Sequence, residues 1–305
     1  MIGVIKKYIA KILRRMFEEE IEKKLILKAK KLSLTHNKIK KIKNLSEVEF
    51  QVSSQWGEDG IIDWIFNKFS KLPKTFLEIG TQDYRESNTR FLLVNKNCDG
   101  YVIEGDSEAT KDIKSQRIYW KHNLTVKNKF INKDNINNLI REMNVPKKVG
   151  LLSLDIDGVD YWVLKELTCL EPSIIICEYN SLFGVKKSIT VPYDKTFDRT
   201  EKHFSNLYYG ASIKAFVDLM KSKKYFLLGT NTSGNNAFFM KNIFLKNINK
   251  IMKEKKIYLS KYRESRNKKG KLTYLDRYNS LKLIGNEVVI DLKDNSKKKI
   301  KDLIL

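Results

Sequence analysis

The chain is predicted to be an α/β protein built on a mainly parallel seven-stranded sheet that ends in an antiparallel hairpin, with helical extensions at both ends. Three observations predict it. Short apolar runs alternate with helix-length amphipathic segments. The runs at 149–154 and 173–177 lack polar alternation, as in strands covered on both faces. The last two runs, within YFLLGTNTSGNNAFFM, lie only a few residues apart.

Residues 2–31 place Ile5, Ile9, Ile12, Met16 and Phe17 at helical spacing, with Lys6, Lys7, Lys11, Arg14 and Arg15 between them. Such a basic amphipathic helix either packs on protein or lies on an anionic membrane surface. Residues 32–47 read as a polar connection, so 1–47 form a first unit. The central domain, 48–245, has strand candidates at 75–80, 100–104, 117–120, 149–155, 173–178, 225–229 and 236–240. Helix candidates lie between them at 57–69, 88–96, 107–115, 134–143, 160–169 and 211–222, the spacing of βαβ crossovers. Residues 246–305 form a lysine-dense extension, predicted mostly helical to about 265 and ending in a short strand, EVVIDL.

Charge is distributed unevenly. Residues 1–45 hold 14 Lys/Arg against 4 Asp/Glu, and 246–305 hold 18 against 7, whereas 46–245 are nearly balanced at 27 against 25. The net +23 thus belongs to the ends, and a nearly neutral core argues against a nucleic-acid substrate. Cys98, Cys169 and Cys177 show no paired or metal-type spacing and read as packing residues of a reducing compartment. No stretch supplies the roughly 18 apolar residues of a membrane span, and the charged start lacks a signal-peptide core. A cytoplasmic location is expected, at the inner face of the membrane if residues 1–31 bind there.

The chemistry-bearing residues cluster where strands end. LLSLDIDGVDY and SIIICEYN each run an apolar segment into carboxylates and amides, so Asp155, Asp157, Glu178 and Asn180 can converge on one crevice outside the carboxyl ends of the sheet. The plainer alternative is that Asp157 or Asp160 caps the following helix. Upstream, LEIGTQDYRESNTRFLL supplies a strand, a turn at Gly80 and a helix opening near Asn88. A single glycine is no dinucleotide fingerprint. Carboxylates at Glu78 and Asp83 suit instead a cationic, phosphate-free ligand such as S-adenosylmethionine, and Glu104, in VIEGD, can accept both ribose hydroxyls.

Motifs in order, SSQWGEDGIIDWIF, FLEIGTQDYRESNTRFLL, YVIEGD, LLSLDIDGVDYWVLKEL, PSIIICEYNSLFG, YYGAS and GNNAFF, resemble the bacterial methyltransferases related to the FkbM family, over about 48–245. The resemblance implies the class I, Rossmann-like methyltransferase fold, S-adenosylmethionine as cofactor, and O-methylation of sugars or small secondary metabolites. It places Glu78, Gly80, Asp83 and Asn88 at the methionine end, Glu104 at the ribose and Asp106 or Asn123 near adenine, with Thr81, Gln82, Gly105 and Asp155 also among the cofactor-binding residues. Relatives commonly carry EIGAxDG where this chain has EIGTQDY, so Tyr84 stands where glycine is usual.

Asp155 with Glu178 also resembles the divalent-metal arrangement of catechol-type and macrolide-sugar O-methyltransferases, with Asn180 as a third oxygen donor for Mg²⁺ or Mn²⁺. The chain departs from it at Gly158, where a Lys or His is usual, and a metal-free mechanism stays open. Asp157 is the first candidate for the catalytic base and His203 the second. Gln55, Glu58 and Asp59 are placed over the cleft or, for the two acids, in the first turn of helix 57–69. Tyr193, Asp194, Tyr208, Tyr209 and Ser212 lie where a sugar ring would be recognised, although aromatic residues are also routine core material. The expectation is an O-methyltransferase acting on a sugar hydroxyl in cell-surface glycan biosynthesis. A non-catalytic scaffold of that fold in a glycan assembly complex is the alternative, and RNA methylation is disfavoured by the neutral core.

Overall fold

The computed structural model describes residues 2–261 and 263–304, with backbone alone for 2–16, 18 and 19. The helical face expected from Ile5, Ile9, Ile12 and Met16 therefore lies outside the described side chains. The central sheet comprises β1 (Thr75–Ile79), β2 (Asp99–Glu104), β3 (Leu124–Asn128), β4 (Leu151–Leu154) and β5 (Ile174–Glu178). After the short β6 (Ile189–Thr190), it is completed by β7 (Tyr225–Thr230) and β8 (Asn236–Lys241). Their order is β3-β2-β1-β4-β5-β8-β7, with every pair parallel except β5–β8 and β8–β7. The sheet closes with the expected antiparallel hairpin, whose second strand the structure places beside β5.

Both faces of the sheet are buried, which is why β4 and β5 carry no polar alternation. On one face Phe76, Val102, Leu151, Ile176 and Phe238 meet the helices Glu58–Lys68, Arg90–Lys96 and Ser107–Ser115 through Ile61, Trp64, Leu92, Leu93 and Ile113. On the other, Leu77, Ile103, Leu152, Ile175 and Phe239 meet Ile140, Val163, Phe216 and Met220 of Ile136–Glu142, Asp160–Glu166 and Ile213–Ser222. Each such fully buried aliphatic or aromatic side chain contributes about 1.5–3 kcal/mol of burial.

Three local expectations change. Residues 117–120, expected as a strand, form the helix Arg117–Lys121, where Ile118 alone is buried and Trp120 points to solvent; the third strand is instead Leu124–Asn128, whose Leu124 and Val126 alternate inward. The N-terminal helix runs Ile2–Lys38, taking in part of the expected polar connection. It is fastened to the body by Arg90 Nε donating to Glu22 Oε1 at 2.6 Å and by Lys68 Nζ donating to the Asn37 carbonyl at 3.1 Å.

The third change concerns the C-terminal segment, which is not mostly helical. After the helix Leu245–Ile251, the described residues of 252–276 hold no helix, and β9 (Val288–Asp291) pairs with both β10 (Ser296–Lys299) and β6 as a separate antiparallel three-stranded sheet. No helix among the described residues is long and apolar enough to cross a membrane.

Candidate functional site

The winding of the sheet reverses between β1 and β4, and a cleft of about 510 Å³ opens there, at the carboxyl ends of β1, β2, β4 and β5. Gly80 ends β1 at φ +79°, and a Cβ built on it would stand 1.7 Å from the Asp155 carbonyl oxygen. Only glycine permits this approach of the β1 and β4 ends. The turn after Gly80 is fixed from below by β2: Glu104 Oε2 accepts from the Thr81 and Gln82 amides at 2.9 and 2.7 Å, and Oε1 accepts from the Asp106 amide at 2.8 Å.

Glu78 lines the cleft, yet its carboxylate holds the following loop. It accepts from Ser87 Oγ at 2.6 Å, from the Asn88 amide at 2.9 Å, and from the Thr89 amide and hydroxyl. Burial pushes its pKa up, and these donors pull it partly back. Asn88 in turn donates to Ser153 Oγ at 3.1 Å. Gly105 and Asp106 also line the cleft, Asp106 as N-cap of Ser107–Ser115 through the Glu108 amide.

The wall opposite is built by two acids that do not face the cleft's interior. Asp59 Oδ2 accepts from the amides of Val52, Ser53 and Ser54 at 2.7, 2.7 and 2.8 Å, and burial pushes its pKa up to about 6. Glu58 accepts from Asn236 Nδ2 at 2.8 Å, from Asn231 and from the Trp56 amide at 3.0 Å. These bonds tie the β7–β8 turn to the 51–57 loop and set Gln55 and Trp56 on the rim.

At the other end, Asp155, Asp157 and Glu178 each bring a carboxylate oxygen within 4.8 Å of the others. Asp155 Oδ1 and Glu178 Oε2 are enclosed with no hydrogen-bond partner. Burial raises both carboxyls well above the ordinary carboxylate range; next in weight is Asp157 for Asp155, and Asp155 for Glu178. Oxygen-only donors, orphaned and mutually repelling, are a donor set that fits a hard divalent cation. Asp160 is drawn into the fold instead: its oxygens accept from the Ile156 and Gly158 amides at 2.8 and 3.0 Å, so it closes the loop that carries Asp157 at φ +55°.

The Arg199 guanidinium compensates part of this charge. It donates to Asp157 Oδ1 at 2.6 Å and to Glu264, and lies 3.6 Å from the centre of the Tyr209 ring. Sequence reading missed Arg199 and Glu264, and assigned no chemistry to the C-terminal segment from which Glu264, Ser260 and Ser280 reach the cleft. No local motif marks them; the only available signal was an arginine shortly after the strand-five acids.

Several expected residues lie elsewhere. Asn123 precedes β3 and donates to Asp99 Oδ1 at 2.8 Å, at the amino ends of the strands and away from the cleft. Asp83 pairs with Arg85 at 2.6 Å and does not line the cleft. His203 also lies off the lining: its Nδ1 meets Ser205 Oγ at 2.6 Å and its ring stacks on Phe204. Asn180 lines the cleft, but its amide nitrogen donates to the Leu207 and Tyr209 carbonyls at 3.0 Å each and Oδ1 accepts from the Leu182 amide at 3.1 Å. Asp157 takes its place in the oxygen cluster. Of the expected acceptor residues Tyr209 lines the cleft, whereas Tyr208 bonds the Val288 carbonyl, Tyr193 reaches Asp134, Asp194 pairs with Lys202, and Ser212 caps Ile213–Ser222.

No family model and no curated protein matches the chain. Among solved structures, it is similar to an O-methyltransferase from Bacillus cereus in complex with SAH, with 12% identity over 71% of this chain and 89% of that one and a TM-score of 0.41. It is also similar to the N-terminal domain of EvdMO1 with SAH bound, with 10% identity over 69% and 94% and a TM-score of 0.40. A third is an S-adenosylmethionine-dependent methyltransferase from Clostridium acetobutylicum, with 12% identity over 59% and 90% and a TM-score of 0.37. TM-scores of this size carry no weight of their own, and the fold rests on the strand order seen directly in this chain.

Proposed function

We propose that the chain is an S-adenosylmethionine-dependent O-methyltransferase acting on a sugar hydroxyl, with a role in cell-surface glycan biosynthesis. The observation that carries this reading is the joining, in one cleft at the switch point of the sheet, of the Gly80–Glu104 cradle with the orphaned oxygens of Asp155 and Glu178. The cradle fits the cofactor: it presents Glu104 beside a backbone turn too tight for any side chain, with no glycine-rich phosphate loop. Bound there, S-adenosylmethionine would supply the methyl group.

Around the acceptor, this chain's residues have separable tasks. Tyr209 offers a ring face and Ser260 a hydroxyl-bearing wall, a mixture that suits a sugar. Asp157, the half-exposed acid of the cluster, takes the hydroxyl proton as methyl transfer proceeds. Asp155 and Glu178, whose unpartnered oxygens face the cluster, would hold a divalent cation, which would orient the acceptor oxygen and lower its proton affinity.

Calorimetric titration with S-adenosylmethionine, followed by transfer of labelled methyl to a panel of nucleotide sugars and glycans, tests the reading. Binding and transfer to a sugar support it. Absence of cofactor binding would return the chain to a non-catalytic scaffold of this fold.

A further inference from the structure

The motif GNNAFF opens β8 with Asn236, a residue to which the methyl-transfer chemistry gives no task. Asn236 is 4% exposed and lines the cleft. Its Nδ2 donates to Glu58 Oε1 at 2.8 Å, while its Oδ1 is enclosed with no hydrogen-bond partner. A carboxylate only accepts, so Glu58 fixes which end of the amide faces it and turns the carbonyl oxygen the other way. A buried acceptor left unpaired is costly, and a ligand that fills the gap removes the cost.

Sheet register sets Asn236 beside the acids. Leu154 of β4 lies opposite Cys177 of β5, so Asp155 and Glu178 follow as the next row. Glu178 in turn lies opposite Asn236 across β5 and β8. The Tyr179 amide donates to the Asn235 carbonyl at 2.8 Å, so the adjoining Glu178–Asn236 pair is of the non-hydrogen-bonded kind, in which facing side chains come closest. Alternation from Leu151, Ile176 and Phe238 puts all three side chains on the face covered by the helix Glu58–Lys68. Asp155 Oδ1, Glu178 Oε2 and Asn236 Oδ1 are thus three orphaned oxygens in one row across three adjacent strands.

The chemistry of this row selects its occupant. Two carboxylates balance a divalent charge, and a neutral amide oxygen adds a hard donor without adding charge. Asp157, the third acid nearby, already has Arg199. A substrate hydroxyl needs an open approach to its acceptor, whereas all three oxygens are enclosed; a magnesium-sized ion, about 2.1 Å from its oxygens, needs less room. We propose that Asn236, through Oδ1, supplies the neutral third protein oxygen of a divalent-cation site shared with Asp155 and Glu178, and that Glu58 is the positioning residue behind it. The inference rests on the cation reading of the cleft and extends that site to β8.

The test is Mn²⁺ binding by the full chain, followed through the paramagnetic resonance of the free ion at about pH 8, where protons compete little with metal. Asn236→Ala should weaken binding about tenfold or more. Asn236→Asp, which keeps an oxygen and adds charge, should bind at least as tightly as the parent. Melting temperature with and without Mn²⁺ is a second measurement that tolerates a destabilised variant: the rise on adding Mn²⁺ should shrink in Asn236→Ala and persist in Asn236→Asp. An Asn236 that served only as a donor to Glu58 would give the reverse order, because a carboxylate set against Glu58 is worse than alanine. Unchanged affinity in Asn236→Ala, or weaker binding by Asn236→Asp than by Asn236→Ala, overturns the assignment and leaves a two-acid site. A parent that binds no Mn²⁺ overturns the cation reading itself, and this inference with it.

Discussion

The carbonyl oxygen of Asp155 stands 1.7 Å from where a Cβ on Gly80 would lie, so the first and fourth strands of the sheet approach each other at the cleft as closely as backbone allows. Gly80 also has φ +79°. Gly80→Ala must therefore part the two strand ends or distort the turn, at a cost of about 2–4 kcal/mol. Denaturant unfolding and cofactor calorimetry should show both lower stability and lost binding. Unaltered binding in the variant would remove the Gly80 turn from the cofactor site.

Glu104 holds the Thr81, Gln82 and Asp106 amides at once. Glu104→Ala should weaken S-adenosylmethionine binding by about 1.5–3 kcal/mol, through lost hydroxyl acceptance and a loosened turn. Asn123→Ala should leave affinity unchanged, since Asn123 bonds Asp99 at the opposite ends of the strands. Equal losses in the two variants would contradict this geometry.

The buried acids make stability fall as pH rises. Asp155 and Glu178 are raised well above ordinary carboxylates, so the native state keeps protons that the unfolded chain releases from about pH 4 upward. The stability these acids contribute is fullest below that range and declines through their native pKa values. Asp59 and Asp160, raised to about 6, act with the same sign. A divalent cation can relieve only the cleft acids. Melting temperature in EDTA should drop between about pH 5 and 8, and Mg²⁺ or Mn²⁺ should raise it at the upper end. Glu178→Gln should remove the metal response and part of the slope. A melting temperature indifferent to metal at every pH would sink the cation site.

Methyl transfer should separate the two base candidates. Asp157→Asn should lower turnover by about 10²–10⁴-fold with the cofactor still bound. His203→Ala should stay within a few-fold of the parent, because His203 is engaged with Ser205 and Phe204 outside the cleft. The reverse ranking would place the acceptor somewhere other than beside Asp155 and Glu178.

Arg199 is the cation already present in the acid cluster. Arg199→Met removes the cation shared by Asp157, which neighbours Glu178, and Glu264. Turnover should fall, and the stabilisation by divalent cation should increase because the cluster is more negative. A double-mutant cycle with Glu264→Gln should show coupling of about 1 kcal/mol or more if the C-terminal segment is held through this pair.

The alternation of strand and helix, the double coverage of the sheet and the closing hairpin were legible in the sequence because each follows from local periodicity. Leu151–Leu154 and Ile174–Glu178 have no polar face, and only a strand between two helical layers satisfies that. The same locality misled at 117–120, where Ile118, Tyr119 and Trp120 have strand-like side chains; the body buries Ile118 fully and Tyr119 only in part, and Leu124 and Val126 take the edge of β2 instead. Sequence also identified Asp155, Asp157, Glu178 and Glu104 as strand-end acids, since strand ends point at the cleft whatever the loops do. Only the tertiary structure decided what each acid faces: Glu78 is absorbed by the 87–89 loop and Asp160 by its own turn, Asp59 gives one oxygen to loop amides and keeps the other unpartnered off the cleft lining, while Asp155 and Glu178 keep an unpartnered oxygen within the cleft lining. It alone brought Arg199 and Glu264, 65 residues apart, into contact over Tyr209. Hydrogen bonding and ion pairing act over a few ångströms of space, and the chain separation of such partners leaves no period or motif to read.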